Sequence, residues 1–208
     1  MDYITVSKEG FGEYEEKKSR FLAFVFPAES EEEVLQRIEA HKKKYWDARH
    51  NCYAYILGED GALMRFSDDG EPGGTAGRPM LDVLAGRKLT NVCVIVTRYF
   101  GGVLLGTGGL VRAYSQATID AVADSAPVKK VSVDYMELAM EYTELGKVQY
   151  LLAREELIPT DIRYESDVKV IVGLPKDRAD AVLKALTNAV NGKIRYEKIG
   201  EGHADTPI

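Results

Sequence analysis

Asn91-Val-Cys-Val-Ile-Val-Thr-Arg98 runs directly into Tyr99-Phe-Gly-Gly-Val-Leu-Leu-Gly-Thr-Gly-Gly-Leu-Val-Arg112, and the reading of this stretch decides the fold. Its first eight residues form a short, nearly continuous β-branched run, the pattern of a strand buried on both faces. Residues 107–124 then carry Leu110, Ala113, Tyr114, Ala117 and Ala121 at helical spacing. The small residues on that face let the helix lie close against a sheet. Between strand and helix stand Gly101, Gly102, Gly106, Gly108 and Gly109. Glycine loses the most backbone entropy on folding, so this density serves tight turns or close approach.

Two readings of these glycines stay open. They let helix and loop pack on the sheet, or they line a site for an anion or nucleic acid. A helix N-terminus offers unpaired amides and partial positive charge. Arg98 at the strand end and Arg112 a turn into the helix supply charge-assisted hydrogen bonds. The familiar phosphate signatures are absent. No Lys-Ser/Thr follows the glycines, as a P-loop requires. Val111 stands where the dinucleotide fingerprint needs a small residue.

Upstream, Ser67-Asp-Asp-Gly-Glu-Pro-Gly-Gly-Thr-Ala-Gly-Arg-Pro79 is a second glycine-rich loop. Pro79 suits the first turn of a helix holding Met80, Leu81, Val83 and Leu84. Asp68, Asp69 and Glu71 offer oxygen ligands to Mg²⁺, but their spacing is not that of an EF-hand and Asp-Gly is a turn former. Arg49-His-Asn-Cys-Tyr53 puts His50 and Cys52 on one face of a strand. Their Cβ separation of roughly 7 Å is too long for direct proton transfer, and Cys52 lacks the helix N-terminus that reactive thiols favour. Residues 51–57 and 62–67 read as a hairpin around Asp60-Gly61. Ser30-Glu-Glu-Glu33 is a capping box that opens a helix, with Val34, Ile38, His41 and Tyr45 in register. Lys42, Lys43 and Lys44 end it, complementing the helix dipole in preference to contacting nucleic acid. Short strands at 3–7, 10–16 and 19–26 come first.

Downstream, Ser125-Ala-Pro-Val-Lys-Lys-Val-Ser132 marks a boundary. Beyond it, strand 133–142, helix 144–155, strands 158–165 and 168–174, helix 176–190 and strand 193–199 give β-α-β-β-α-β, the ferredoxin-like order. The expected domains are 1–128 and 132–200, with 201–208 as a tail.

Composition sets outer limits. The chain has 208 residues, a formal net charge of -6, 45% hydrophobic residues and two cysteines. The negative total argues against binding nucleic acid over the whole surface and leaves room for a local basic patch. No apolar run spans a bilayer, and no signal peptide is recognisable. Two cysteines outside any CxxC pattern fit a reducing cytoplasm.

The two long motifs, Ser67 to Pro79 and Arg98-Tyr-Phe-Gly-Gly with Leu105-Gly-Thr-Gly-Gly-Leu-Val-Arg-Ala-Tyr114, resemble the YigZ/IMPACT family. Lys17-Lys-Ser-Arg-Phe21 and His50-Asn-Cys52 match its lesser motifs. The likeness spans residues 1–125, and 133–200 is similar to the second domain of bacterial members. The resemblance implies a two-domain α+β or α/β fold. Its first domain is of the ribosomal-protein-like βαβ type, also seen in domain IV of elongation factor G. Its second is similar to that factor's ferredoxin-like C-terminal domain. Eukaryotic members regulate translation by binding a ribosome-associated activator of a stress-responsive kinase. The sequence lacks their extra N-terminal interaction domain, so that partner is not carried over.

The expected function is that of a non-enzymatic regulatory or binding protein linked to translation, contacting RNA, the ribosome or a translation factor. Arg20, Arg78, Arg98, Gly101, Gly102, Gly106, Gly108, Gly109 and Arg112 are the expected anion or nucleic-acid contacts. His50, Ser67, Asp68, Asp69, Gly70, Glu71, Gly74, Thr75 and Gly77 form the expected motif loop. No catalytic residue, metal or cofactor is assigned. One alternative is an enzyme acting on a phosphorylated or anionic small molecule, with Mg²⁺ on Asp68, Asp69 and Glu71. Another is a protein-interaction module using Tyr99 and Phe100. All of these depend on residues 67–78 and 98–112 meeting in one concave, amide-lined cradle.

Overall fold

Apolar alternation and helix caps divide the first part of the chain into β1 (Tyr3–Val6), β2 (Gly10–Glu16), β3 (Ser19–Pro27), α1 (Glu31–Lys44), β4 (His50–Leu57), β5 (Leu63–Ser67), α2 (Gly77–Gly86), β6 (Val92–Tyr99) and α3 (Gly106–Asp124). The second part gives β7 (Pro127–Met140), α4 (Leu145–Arg154), β8 (Pro159–Tyr164), β9 (Val168–Pro175), α5 (Ala179–Ala189) and β10 (Ile194–Pro207). The structure is a computed structural model and describes residues 1–207. The chain forms two units, one of Met1–Lys129 rejoined by the chain from Thr206, the other of Lys130–Asp205.

In the first unit the strands lie in the order β2-β3-β6-β4-β5, every neighbouring pair antiparallel. Both β3 and β4 run antiparallel to β6, so they are parallel to each other and α1 is the crossover between them. The β-branched run lies at the centre and is buried on both sides, as its composition predicts. Val92, Val94 and Val96 enter the core shared with α2 and α3, while Cys93 and Ile95 join the α1 core with Val34 and Ile38. The small face of α3 packs on β2 and β3 through Ala113, Ala117 and Ala121. Glycines in β2 make the approach possible: a Cβ on Gly10 would lie 2.3 Å from the Ala121 carbonyl oxygen.

At α1 the capping box forms in part. Ser30 Oγ accepts the Glu33 amide at 3.2 Å, but the Glu33 carboxylate takes the Glu29 amide instead of reaching the Ser30 amide.

The second unit follows the element order β7-α4-β8-β9-α5-β10, with β9 between β7 and β8 and with β10 beside β7. Val168, Val170, Val172 and Leu174 of β9 alternate into a core with Val148, Leu152, Val182 and Leu186 from the helices. Two strands run past the expected limits. β7 begins at Pro127, inside the expected linker, because proline is tolerated as the first residue of a strand. The expected tail is not a tail: β10 continues through it to Pro207, held by ladder bonds that a polar sequence does not announce.

Candidate functional site

Asp68 organises the first glycine-rich loop. Its carboxylate accepts the amides of Gly74 at 2.8 Å, Ala76 at 3.0 Å and Gly77 at 2.8 Å. Ala76, the residue that caps α2, makes no side-chain cap bond of its own, so Asp68 supplies that cap from across the loop. The Asp68 carbonyl also takes the Glu71 amide, and Pro72 takes both the amide and the hydroxyl of Thr75. Gly77 sits where a Cβ would lie 2.8 Å from the Ser67 backbone. Asp69 is braced from α1 and β4. Its carboxylate accepts Lys42 Nζ at 2.6 Å and the Asn51 amide at 2.7 Å, and its backbone has a positive φ of 43°. Asn51 leads in turn to Thr97, whose hydroxyl donates to Asn51 Oδ1. Thr97 therefore accepts from His41 Nε2–H at 2.7 Å. Burial first, and Lys44 second, lower the His41 pKa to about 4, so the ring stays neutral.

Glu71 points inward and meets Arg98, whose Nη1 donates to both carboxylate oxygens at 2.7 and 3.0 Å. Tyr114 adds its hydroxyl at 2.8 Å. Arg98 is only 6% exposed and lies with its guanidinium 5.5 Å from the rings of both Phe21 and Phe100. Burial above all pushes the Tyr114 hydroxyl up, with Cys52 and Glu71 adding to it, so the phenol remains a donor. Arg98, an expected anion contact, thus has its charge matched by Glu71. One polar atom is left over, since Arg98 Nε is buried without an acceptor.

The second glycine-rich loop differs. Gly101 donates its amide to Ser19 Oγ at 3.1 Å and packs on the β2–β3 turn. Leu105 precedes α3 without a side-chain cap, and Gly106, Thr107 and Gly108 are exposed. Among the described residues their amides have no acceptor. Gly109 is buried against Leu105, whereas Gly108 has ordinary φ and nothing within 4 Å of an added Cβ.

The two loops meet across a cavity of about 390 Å³. Arg49, His50, Gly70, Glu71 and Pro72 line one side, and Arg98, Phe100, Leu104, Leu105, Gly106, Thr107 and Leu110 the other. His50 Nδ1–H donates to the Asp69 carbonyl at 2.9 Å, since a carbonyl oxygen can only accept. Three expected cations fall outside this lining. Arg20 pairs with Glu13, Arg78 pairs with Asp82 one turn along α2, and Arg112 is exposed on α3, where its charge opposes the rise in the Tyr14 pKa that the Glu16 hydrogen bond and burial cause. Arg49 was not among the expected contacts. It is exposed and has no carboxylate partner among the described residues. Its place at the start of β4, beside His50, was the available signal.

Asp68, Asp69 and Glu71 each serve a separate internal partner, and no cluster of three His, Cys, Asp or Glu converges among the described residues. They therefore do not converge on one point at which Mg²⁺ could be held. Cys52 is fully buried, with Sγ 3.0 Å from the Asp68 carbonyl, and burial pushes its pKa up to about 12. At neutral pH it is a thiol.

Comparison with known proteins places this architecture. Residues 17–122 match the Impact N-terminal domain, and residues 138–193 match a domain of unknown function, DUF1949. The IMPACT family member YvyE of Bacillus subtilis is 37% identical over 92% of this chain and 88% of its own. YigZ of Escherichia coli is 35% identical over 89% of this chain and 92% of its own. Protein IMPACT of Mus musculus is 38% identical over 44% of this chain and 30% of its own, so that likeness is confined to one part of each. A solved structure described as a hypothetical protein covers 96% of this chain and 98% of its own, at 31% identity and a TM-score of 0.61. With one domain model spanning half of its length and bacterial relatives matching nearly end to end, the chain belongs to the IMPACT family.

Proposed function

We propose that this protein is a non-enzymatic, translation-linked binding protein that takes up RNA, free or within the ribosome, through the cavity between its two glycine-rich loops. One observation carries the reading. The open amides at the start of α3 line the same cavity as Arg49 and the unsatisfied Nε of Arg98. Helix-start amides and the unpaired cation of Arg49 together favour phosphate oxygens. The protonated Cys52 and the internally engaged carboxylates support binding over catalysis.

The finer fold belongs to this reading. The β3-α1-β4 crossover supports a ribosomal-protein-like first domain related to domain IV of elongation factor G, taken as residues 1–128. The second, expected over residues 132–200 and extended past 200 by β10, is read as ferredoxin-like from its element order and from β9 and β10 flanking β7. The cytoplasm is the compartment in which two buried free thiols are at home.

Titrating labelled RNA and purified ribosomes at increasing salt tests the proposal. Affinity should fall steeply with salt, and Arg49→Ala should weaken it at every salt concentration. Binding that ignores salt, or none to either target, would overturn the reading.

A further inference from the structure

Resting on that RNA reading, we infer that the cavity receives an unpaired nucleotide and that the Lys17–Lys18 hairpin tip clamps phosphates of the same strand. Glu16 pairs with Ser19, so β2 and β3 are joined by Lys17 and Lys18 alone. Both have positive φ, 46° and 65°, which makes the connection a type I′ turn. Such turns favour Asn-Gly, because left-handed backbone crowds any residue with a Cβ. Among the described residues, this is the one place where two consecutive non-glycine residues adopt it. Both lysines are exposed, and neither meets a carboxylate among the described residues. The turn thus keeps two unpaired cations at a position where cheaper residues would fold better.

The tip adjoins the cavity. A Cβ on Gly101 would lie 2.1 Å from the Lys18 carbonyl carbon, and the neighbouring Phe100 is 48% exposed and lines the cavity. Phe100, Leu104 and Leu110 form an apolar wall on which a base can stack or pack. The polar end offers an anion the open amides of Gly106 and Thr107, and Arg98, which lines the same cavity with its charge matched by Glu71, keeps a buried Nε without an acceptor. A cavity with one apolar wall, one phosphate-seeking end and cations along its rim matches a nucleotide of a strand. A base already paired and stacked in a duplex has no free face to offer that wall, so the strand is single.

Fluorescence anisotropy with the full chain tests this, using a short single-stranded RNA and a blunt RNA duplex of the same length. The single strand should bind at least about tenfold more tightly, and Phe100→Ala should remove about tenfold of that affinity while leaving duplex binding nearly unchanged. In Lys17→Asn/Lys18→Gly, the slope of log affinity against log salt should flatten by about 1.4, at about 0.7 for each lost contact with a single strand. The same variant should melt at a higher temperature than the wild type, since its turn is relaxed. Equal binding of both RNA forms, with no response to Phe100, overturns this inference and leaves the RNA reading standing. No binding to either form overturns both. A turn variant that keeps the wild-type salt slope removes the clamp.

Discussion

The two glycine-rich loops of the first unit look alike in sequence and are opposites in bonding. Residues 67–77 supply their own anion: Asp68 occupies the amides of Gly74, Ala76 and Gly77 and closes the start of α2. Residues 101–109 supply none, and the amides at the start of α3 meet no acceptor among the described residues. A helix start that is satisfied internally is scaffold. One left open at a cavity is where a ligand's negative charge gains most. Glycine content alone cannot separate these cases; the position of one carboxylate does.

The comparison can be broken most severely at Glu71. Glu71→Ala would leave the Arg98 charge and the Tyr114 hydroxyl buried without their acceptor, and the first unit should lose about 3–5 kcal/mol in urea unfolding. A loss below about 1 kcal/mol would mean that the pair does not hold the loops together. Asp68→Ala comes next, at about 2–3 kcal/mol for bonds to a charged acceptor. Hydrogen exchange should then speed up at Gly74, Ala76 and Gly77 and stay unchanged at Gly106 to Gly108.

Two alanine substitutions sharpen the contrast between glycine roles. Gly101→Ala drives a methyl group into the Lys18 backbone and should cost about 1–3 kcal/mol. Gly108→Ala meets open space in the first turn of α3 and should stabilise the fold by about 0.5–1 kcal/mol, yet weaken RNA binding. A Gly108→Ala variant that binds RNA as well as the wild type would remove the Gly108 amide, next to the cavity-lining Thr107, from the site.

A pH-dependent effect concerns the bracing of the first loop through His41, Thr97 and Asn51. The folded His41 pKa of about 4 lies below the ordinary value of roughly 6.5, so the unfolded chain binds more protons between them. The contribution of His41 is complete above about pH 6.5 and is lost as pH falls towards 4. Urea unfolding across that window should show the decline in the wild type and a flatter profile in His41→Gln.

Much of the scaffold was legible because it rests on local patterns. The β-branched run at 92–96, the small face of α3 and the alternation of β9 each state their burial in their own periodicity. The site was legible only as a pair of loops. Arg98 finds Glu71 across 27 positions, and no local rule reveals that its charge is already matched. Arg49 escaped notice for the converse reason: its value lies in lacking a partner, which only the folded arrangement shows. The early start of β7 and the long reach of β10 were hidden by a proline and by polar residues whose strand character comes from their neighbours.

The most direct test of the contrast between the loops is an amide NMR titration of the full chain with single-stranded RNA. The amides of Gly106, Thr107 and Gly108 should shift progressively as RNA is added, while those of Gly74, Ala76 and Gly77 hold their positions. Shifts centred on Gly74 to Gly77, with Gly106 to Gly108 unmoved, would contradict the account.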